Sequence, residues 1–566
     1  MKTYTYDCIV IGTGAAGYNA AIRLAEADVL VAVVTEGISI GTSRNTGSDK
    51  QTYYKLGLSG DSPDSVRKMA QDLFDGGCMD GDNALCEAAL SARCFLNLCE
   101  LGVPFPQNRY GEYIGYKTDH DPYARATSAG PLTSKFMTEA LEKKANSLSI
   151  PIFDSHRAVK ILKKGGSICG LICVNNGECV AFRCRDIIMA TGGPAGIYEK
   201  SVYPECHTGS TGLAIDVGAK MQNPDLWQYG LASIDPRWNV SGTYMQVLPR
   251  FVSKDCDGKE HDFLWDSFSD RYEGLSLVFL KGYQWPFFEK NRSSEIDMLV
   301  LSECKKGRRV YLDFTKNPFD IDYSRLSDEA LDYLKKADAT FGTPIERLKK
   351  MNSPAIELYK SKGVDLYKEY LEIALCAQHN NGGIAVDTWW QTSVKGLFAV
   401  GECAGTHGLA RPCGSALNAG QVGSLRASQY IAQYPNRLIS EKEFSDIIQK
   451  VKIDLCDHSE KIRSARRRMS DFASALRDKE KIKEMLEDIS KELNTATDPR
   501  YRDLLLTQGA VLSAMLTNNT DPKKITEVEY TQGEFKVSLR PVRPIPEEDG
   551  FFENIWREYR KNKNVY

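Results

Sequence analysis

No run in this 566-residue sequence approaches the roughly 18 consecutive apolar residues of a membrane helix. Charge of one sign is lacking too: 72 lysines and arginines nearly cancel 75 aspartates and glutamates. The resulting net charge of -3 excludes a general attraction to nucleic acid or anionic lipid. No two of the sixteen cysteines are spaced C-x-x-C, which removes the usual ligand pattern of iron-sulfur clusters and structural zinc. Histidine is scarce, with seven in all and none before His120. The first residues, Met-Lys-Thr-Tyr-Thr-Tyr-Asp, run into a strand without the ordered regions of a secretory signal. These absences predict a soluble, cytoplasmic protein with free thiols and no bound metal. Its partner is then a small molecule or another protein.

What is present is a 42% hydrophobic and 10% aromatic chain, long enough to divide into several domains. Asp7 to Ile11 is apolar, Gly12 to Gly17 glycine-rich, Tyr18 to Ala27 helical and Asp28 to Thr35 apolar again, which is one βαβ unit. A helix is expected from about Gly130 to Asn146, then strands at Val159 to Leu162, Ile168 to Val174 and Asp186 to Ala190. From Ser233 to Tyr370 the composition turns aromatic and charged, with a strand at Arg309 to Phe314 and a helix at Ser327 to Asp338. Glycine-rich strand and turn signals return from Gly382 to Gly423. An α/β Rossmann-like domain (1–232 and 371–436) interrupted by an α+β cap (233–370) explains that return. Residues 437–566 read as a helical, densely charged appendage that ends in the proline-rich Arg540-Pro-Val-Arg-Pro-Ile-Pro.

Gly12-Thr-Gly-Ala-Ala-Gly17 directly follows a strand and opens a helix, where glycines permit the tight turn and backbone N-H groups meet a pyrophosphate. The positive end of the helix dipole faces the same phosphates. Glu36 closes the second strand, where a carboxylate can accept hydrogen bonds from the hydroxyls of an adenosine ribose. Two later motifs choose FAD over a nicotinamide. Ala190-Thr-Gly-Gly193 ends a strand, and Gly396-Leu-Phe-Ala-Val-Gly-Glu-Cys403 delivers Glu402 toward a ribityl chain; both resemble signatures of two-dinucleotide-fold flavoproteins.

His407-Gly-Leu-Ala-Arg411 followed by Gly414-Ser-Ala-Leu417 resembles the H-G-x-x-R…S-L stretch of the fumarate reductase, succinate dehydrogenase and aspartate oxidase flavoproteins. The resemblance implies that Arg411 grips a substrate carboxylate and that the amides of Ala416 and Leu417 meet the pyrimidine edge of the flavin. Gln378-His-Asn-Asn-Gly-Gly-Ile384 is similar to the family's H-x-x-x-G-G-(I/V), with either Gln378 or His379 in the family's histidine position. In the cap, Arg292-Ser-Ser-Glu-Ile-Asp297 before Tyr311-Leu-Asp313 resembles the region of the family's proton-donating arginine. This nominates Arg292, with Glu295 or Asp297 restoring its proton.

The candidate catalytic residues are therefore Arg292, Arg411, His379, His407 and Gln378. The candidate FAD contacts are Gly12, Gly14, Ala15, Ala16 and Gly17; Glu36 and Gly37; Thr42, Ser43, Arg44, Asn45, Thr46, Gly47 and Ser48; Val159; Ala190, Thr191, Gly192 and Gly193; Thr211; Gly401 and Glu402; and Ser415, Ala416 and Leu417.

Four departures from the family pattern bear on substrate and partners. Gln228-Tyr-Gly230 puts glycine where the family has the dicarboxylate-binding histidine of Q-(F/Y)-H-P, and Thr208-Gly-Ser-Thr-Gly212 replaces T-G-D-G. Both are expected to widen or re-polarise the pocket, against fumarate or succinate and toward a bulkier enoate or enone. Gly41-Thr-Ser-Arg-Asn-Thr-Gly-Ser48 has no histidine to bond flavin covalently, so FAD is expected to dissociate. The respiratory E-S-R-G-x-H-x-R element is absent. The expected activity is hydride transfer between FAD and an activated C=C bond. In this reading an external donor, such as a ferredoxin-like iron-sulfur protein, supplies the electrons. An aspartate-oxidase-like oxidase or an adenylylsulfate-reductase-like flavoprotein subunit is the alternative.

Overall fold

A computed structural model describes residues 1–60, 63–118, 121 and 123–547; the last residues of the expected C-terminal appendage lie outside these. Strands Cys8–Ile11, Val31–Val34, Asp186–Met189 and Leu397–Ala399 are buried throughout, and such unbroken burial needs cover on both faces. They build a parallel sheet in the order Leu397–Ala399, Asp186–Met189, Cys8–Ile11, Val31–Val34, Ile152–Phe153. Helix Ala15–Ala25 packs between helices Thr133–Ser147 and Ser415–Gln433. Small side chains let the first and last approach closely: Ser424 Oγ donates to the Ala16 carbonyl at 2.7 Å and Asn19 Nδ2 to the Gln421 carbonyl at 3.1 Å. A second layer, Arg157–Lys164, Ser167–Asn175 and Glu178–Arg183, takes Lys2–Thr5 as a parallel edge strand.

The inserted region has its own core, formed by buried side chains between Leu231 and Ile373, among them Phe251, Phe279 and Leu312. Its six-stranded antiparallel sheet includes Trp227–Ser233 and Leu371–Asn380, paired with each other over most of their length. The chain leaves the cofactor domain along one of these strands and returns along the other, so the two sides of the cavity described below share a continuous sheet.

The C-terminal region differs from the expected helical appendage in two ways. Helices Ser459–Phe472, Lys479–Leu493 and Pro499–Thr517 contribute Met469, Ile482, Met485 and Leu505 to the main core rather than standing in solvent. A hairpin, Lys524–Thr531 with Glu534–Pro541, then joins Met221–Gln222 and Gly383–Ile384 in one sheet. Its turn is built on Gln532 and Gly533, both at positive φ, as a tight two-residue hairpin requires. The proline-rich segment that follows is anchored by Arg540 and Arg543 on Asp80, at 2.7 and 3.1 Å, just before the helix Gly81–Glu100.

Candidate active site

The glycine turn is closed by sterics. Gly12 sits at φ +110°, and a Cβ there would lie 2.4 Å from the Ala190 carbonyl oxygen; one on Gly17 would lie 2.0 Å from the Gly12 carbonyl oxygen. The turn and its neighbours line a narrow slot of about 130 Å³ with Thr35, Glu36, Gly37, Arg157, Ala158, Thr191, His207 and Ser210. Glu36 is ion-paired with Arg500 from the C-terminal region. His207, which sequence reasoning overlooked, lies 3.0 Å from the Gly193 carbonyl through Nε2 and 3.0 Å from Thr42 Oγ1 through Nδ1. Burial holds this imidazole near 4, so it is neutral: Nε2-H donates to the carbonyl and Nδ1 accepts from the threonine.

The slot continues past Gly14, Thr42, Ser43, Ala190 and Gly192 into a cavity of about 540 Å³. Ala15, Ala16, Thr46, Gly47, Ser48, Gly401, Glu402, Ala416 and Leu417 line the larger chamber. Two helix N-termini, at Ala15 and Ser415, thus meet one elongated space, an arrangement suited to a diphosphate at one end and electron-rich ring edges at the other. Several expected contacts do not line it. Arg44 pairs with Glu142 at 2.8 Å, and Asn45 closes its own turn on the carbonyls of Ser39 and Gly41. Gly17 packs against the turn behind. Val159 alternates into a satellite core around Phe444, leaving Ala158 on the slot. Thr211 opens a helix one residue beyond the lining Ser210. Gly193 contributes its carbonyl to His207, and Ser415 is buried beside the lining Ala416.

At the far end Arg411 donates from Nε to Asn381 Oδ1 at 3.1 Å and from Nη2 to Gln228 Oε1 at 2.8 Å. Asn381 Oδ1 also accepts from His379 Nδ1 at 3.0 Å, which leaves Nε2 of that ring unprotonated, 3.7 Å from Glu402 Oε1. Burial, and then the charge of Arg411, push His379 well below its ordinary value. Burial raises Glu402 to about 8 despite Arg411 and the Asn380 N-H, so near neutrality it is an acid that Tyr203 also contacts. Gln378 lines the cavity beside His379 but is spent on Asn239 and the Leu231 carbonyl. His407 does not line the cavity; it stands behind His379, edge to face at 4.9 Å, and burial holds it near 3.

The cap completes the chamber with Gln246, Gly282, Tyr283, Trp285 and Tyr333. Asp49 of the cofactor domain ties it down, accepting from Thr243 N at 2.8 Å and Thr243 Oγ1 at 2.9 Å. Two expectations fail here. Arg292 is 64% exposed on another groove, paired with Glu273 and Glu295, because the turn after Trp285 carries it outward although the cap already covers the cavity. Of its two expected relay partners, Glu295 is paired with it on that outer groove, while Asp297 is buried 2.5 Å from Lys281 Nζ. Nor does Gly230 leave empty space: a Cβ there would lie 2.7 Å from the indole nitrogen of Trp285. The aromatic run Tyr283-Gln-Trp-Pro-Phe-Phe288 was the available signal for this wall.

A glycine turn that no side chain can enter, a carboxylate on the slot, two convergent helix ends and a cavity lined by one arginine among the described residues fit FAD. They define the chain as an FAD-dependent oxidoreductase. Residues 7–417 match the FAD binding domain family, and the chain belongs to it, among the fumarate reductase, succinate dehydrogenase and aspartate oxidase flavoproteins. It is 27% identical over 438 residues to one chain of the fumarate reductase (CoM/CoB) of Methanothermobacter marburgensis, covering 75% of this chain and 73% of that one. With L-aspartate oxidase of Mesorhizobium japonicum it shares 26% over 428 residues, covering 72% and 71%. The fold is similar to Mycobacterium smegmatis Sdh1 in complex with UQ1, with a TM-score of 0.72 and 20% identity over 99% and 98% of the two chains. It is also similar to adenylylsulfate reductase of Archaeoglobus fulgidus, at 0.62 and 15% over 97% of each.

Proposed function

We propose that this protein reduces the activated C=C bond of a planar enoate or enone other than fumarate, holding FAD without a covalent bond and drawing electrons from a separate donor, such as a ferredoxin-like iron-sulfur protein. Arg411 carries the reading: it is the one arginine among the described residues lining the chamber, and Asn381 and Gln228 fix its guanidinium. A fixed guanidinium binds a carboxylate, or polarises a conjugated carbonyl, at little entropic cost. Bound flavin supplies the hydride chemistry. Tyr283, Trp285 and Tyr333 exclude water and match a flat substrate. His379 is neutral and adds no positive charge beside Arg411. Arg292 is withdrawn as the acid. The protons at hand in the chamber are those of Glu402, Lys50, Lys117, Tyr116, Tyr203, Tyr283 and Tyr333.

The test is to precipitate the yellow protein with acid, assay the supernatant for FAD, then reduce the holoprotein anaerobically with dithionite and offer enoates and enones. Released FAD and reoxidation by planar enoates, slowed about a hundredfold by Arg411→Gln through loss of about 3 kcal/mol of charge-assisted binding, are expected. Failure of every enoate and enone to reoxidise the flavin rejects the proposal. Fast reoxidation by oxygen alone would instead favour an oxidase.

A further inference from the structure

We propose that His207 is the bolt of a strap over the FAD site: its hydrogen bonds hold segment 202–210 against loop 40–48, and their opening sets the rate at which FAD enters and leaves. The inference rests on the non-covalent reading above and names what retains FAD in place of a covalent bond.

Two stretches of chain line the whole elongated space. In segment 202–210, Val202 and Tyr203 face the chamber, while His207 and Ser210 face the slot. In loop 40–48, Ile40 lines the slot and Thr46 the chamber, with Thr42 on both. Side chains lace the two stretches together. Thr46 Oγ1 donates to the Val202 carbonyl at 3.0 Å, Thr42 Oγ1 to His207 Nδ1 at 3.0 Å, and Cys206 Sγ to the Ile40 carbonyl at 3.9 Å.

His207 alone among these partners also reaches a third wall. Its Nε2 donates to the Gly193 carbonyl at 3.0 Å, and its ring lies so close on Gly192 that a Cβ there would stand 2.8 Å from Cε1. Gly192 and Thr42 both line slot and chamber, so the imidazole sits where one passes into the other. A neutral imidazole offers one donor and one acceptor on separate edges, which is what the Gly193 carbonyl and the Thr42 hydroxyl require together.

The strap lies at the surface. His207 N donates to the Pro204 carbonyl at 2.9 Å, closing a turn whose Glu205 and Cys206 are exposed. A turn held by a few hydrogen bonds opens locally without unfolding the core beneath it. Because the bolt joins protein to protein, its loss eases passage in both directions, whereas loss of a direct FAD contact speeds departure alone.

Holoprotein is diluted and FAD release followed by recovery of FAD fluorescence; uptake is followed by its quenching when apoprotein is mixed with FAD. His207→Ala and Thr42→Val should each speed both release and uptake at least about fivefold, the effect of one lost hydrogen bond, leaving the dissociation constant within about threefold. The double variant should be no faster than His207→Ala, because both changes remove the same bond. Glu205→Ala, at the exposed tip, should stay within about twofold on both rates. Rates unchanged in both single variants, release that quickens without uptake, or effects that multiply in the double variant overturn the assignment of His207. Flavin that stays with the acid-precipitated protein is a separate result: it refutes the non-covalent reading, and the bolt falls with it.

Discussion

Replacing Lys281 by methionine removes the cation from a pair in which neither side chain reaches solvent: Nζ lies 2.5 Å from Asp297 Oδ2, with exposures of 1% and 0%. Burial already raises Asp297 to about 6, and Lys281 is what opposes it. Without the lysine the folded protein keeps this carboxyl protonated to higher pH, as buried carboxyls with values of about 8–9 do. Unfolded, it ionises near its ordinary value of about 3.9. A folded value above the unfolded one gives stability that is full at low pH and lost as pH rises toward the folded value. Relative to the unaltered protein, the variant should therefore lose about 1.4 kcal/mol per pH unit above pH 6, or about 3 kcal/mol by pH 8. The carbonyls of Gln284 and Trp285, left without their donor, add about 1–3 kcal/mol at either pH. Urea unfolding followed by tryptophan emission at pH 6 and pH 8 measures both parts. Adding Asp297→Asn should erase the pH-dependent part alone. Equal destabilisation at the two pH values, or a double variant that keeps the pH dependence, would refute the argument.

Gly12→Ala should yield colourless protein, because its Cβ would meet the Ala190 carbonyl at 2.4 Å in a backbone conformation that alanine avoids; the ratio of flavin to protein absorbance reports this. Arg292→Ala should change turnover of a reoxidising enoate by less than about twofold, since the side chain stands exposed on another groove and does not line the chamber; a hundredfold loss would restore it as the acid. His379 is held neutral by burial and Arg411, so kcat/KM against pH should show no limb near the ordinary histidine value of about 6.5. The inflection should fall near pH 8, where Glu402 ionises, and should vanish in Glu402→Gln.

The glycine turn, its strand and helix, and the strands ending at Ala190 and at Gly401 were legible because they are local: adjacent residues make the turn, and apolar runs mark the buried strands. The same locality made Arg411 visible. The alternating run from Ile525 to Leu539, with Gln532-Gly533 between its halves, also announced a hairpin, yet the helical pattern before it obscured that signal. What linear spacing could not supply is which side chains meet across distant segments. Val159 and Ala158 are neighbours in the chain, and only the strand's facing decides that Ala158 lines the slot. Arg292 matched a motif, but the turn after Trp285 aims it at Glu273 rather than at the chamber. His207 joins Thr42 to Gly193, and Glu36 meets Arg500, through contacts that span most of the fold. The sequence by itself determined the cofactor and the family, because a diphosphate is held by one contiguous turn. Only the tertiary structure decided the chamber wall, because the space at Gly230 belongs to Trp285, an aromatic side chain delivered from the cap and held there by a buried lysine.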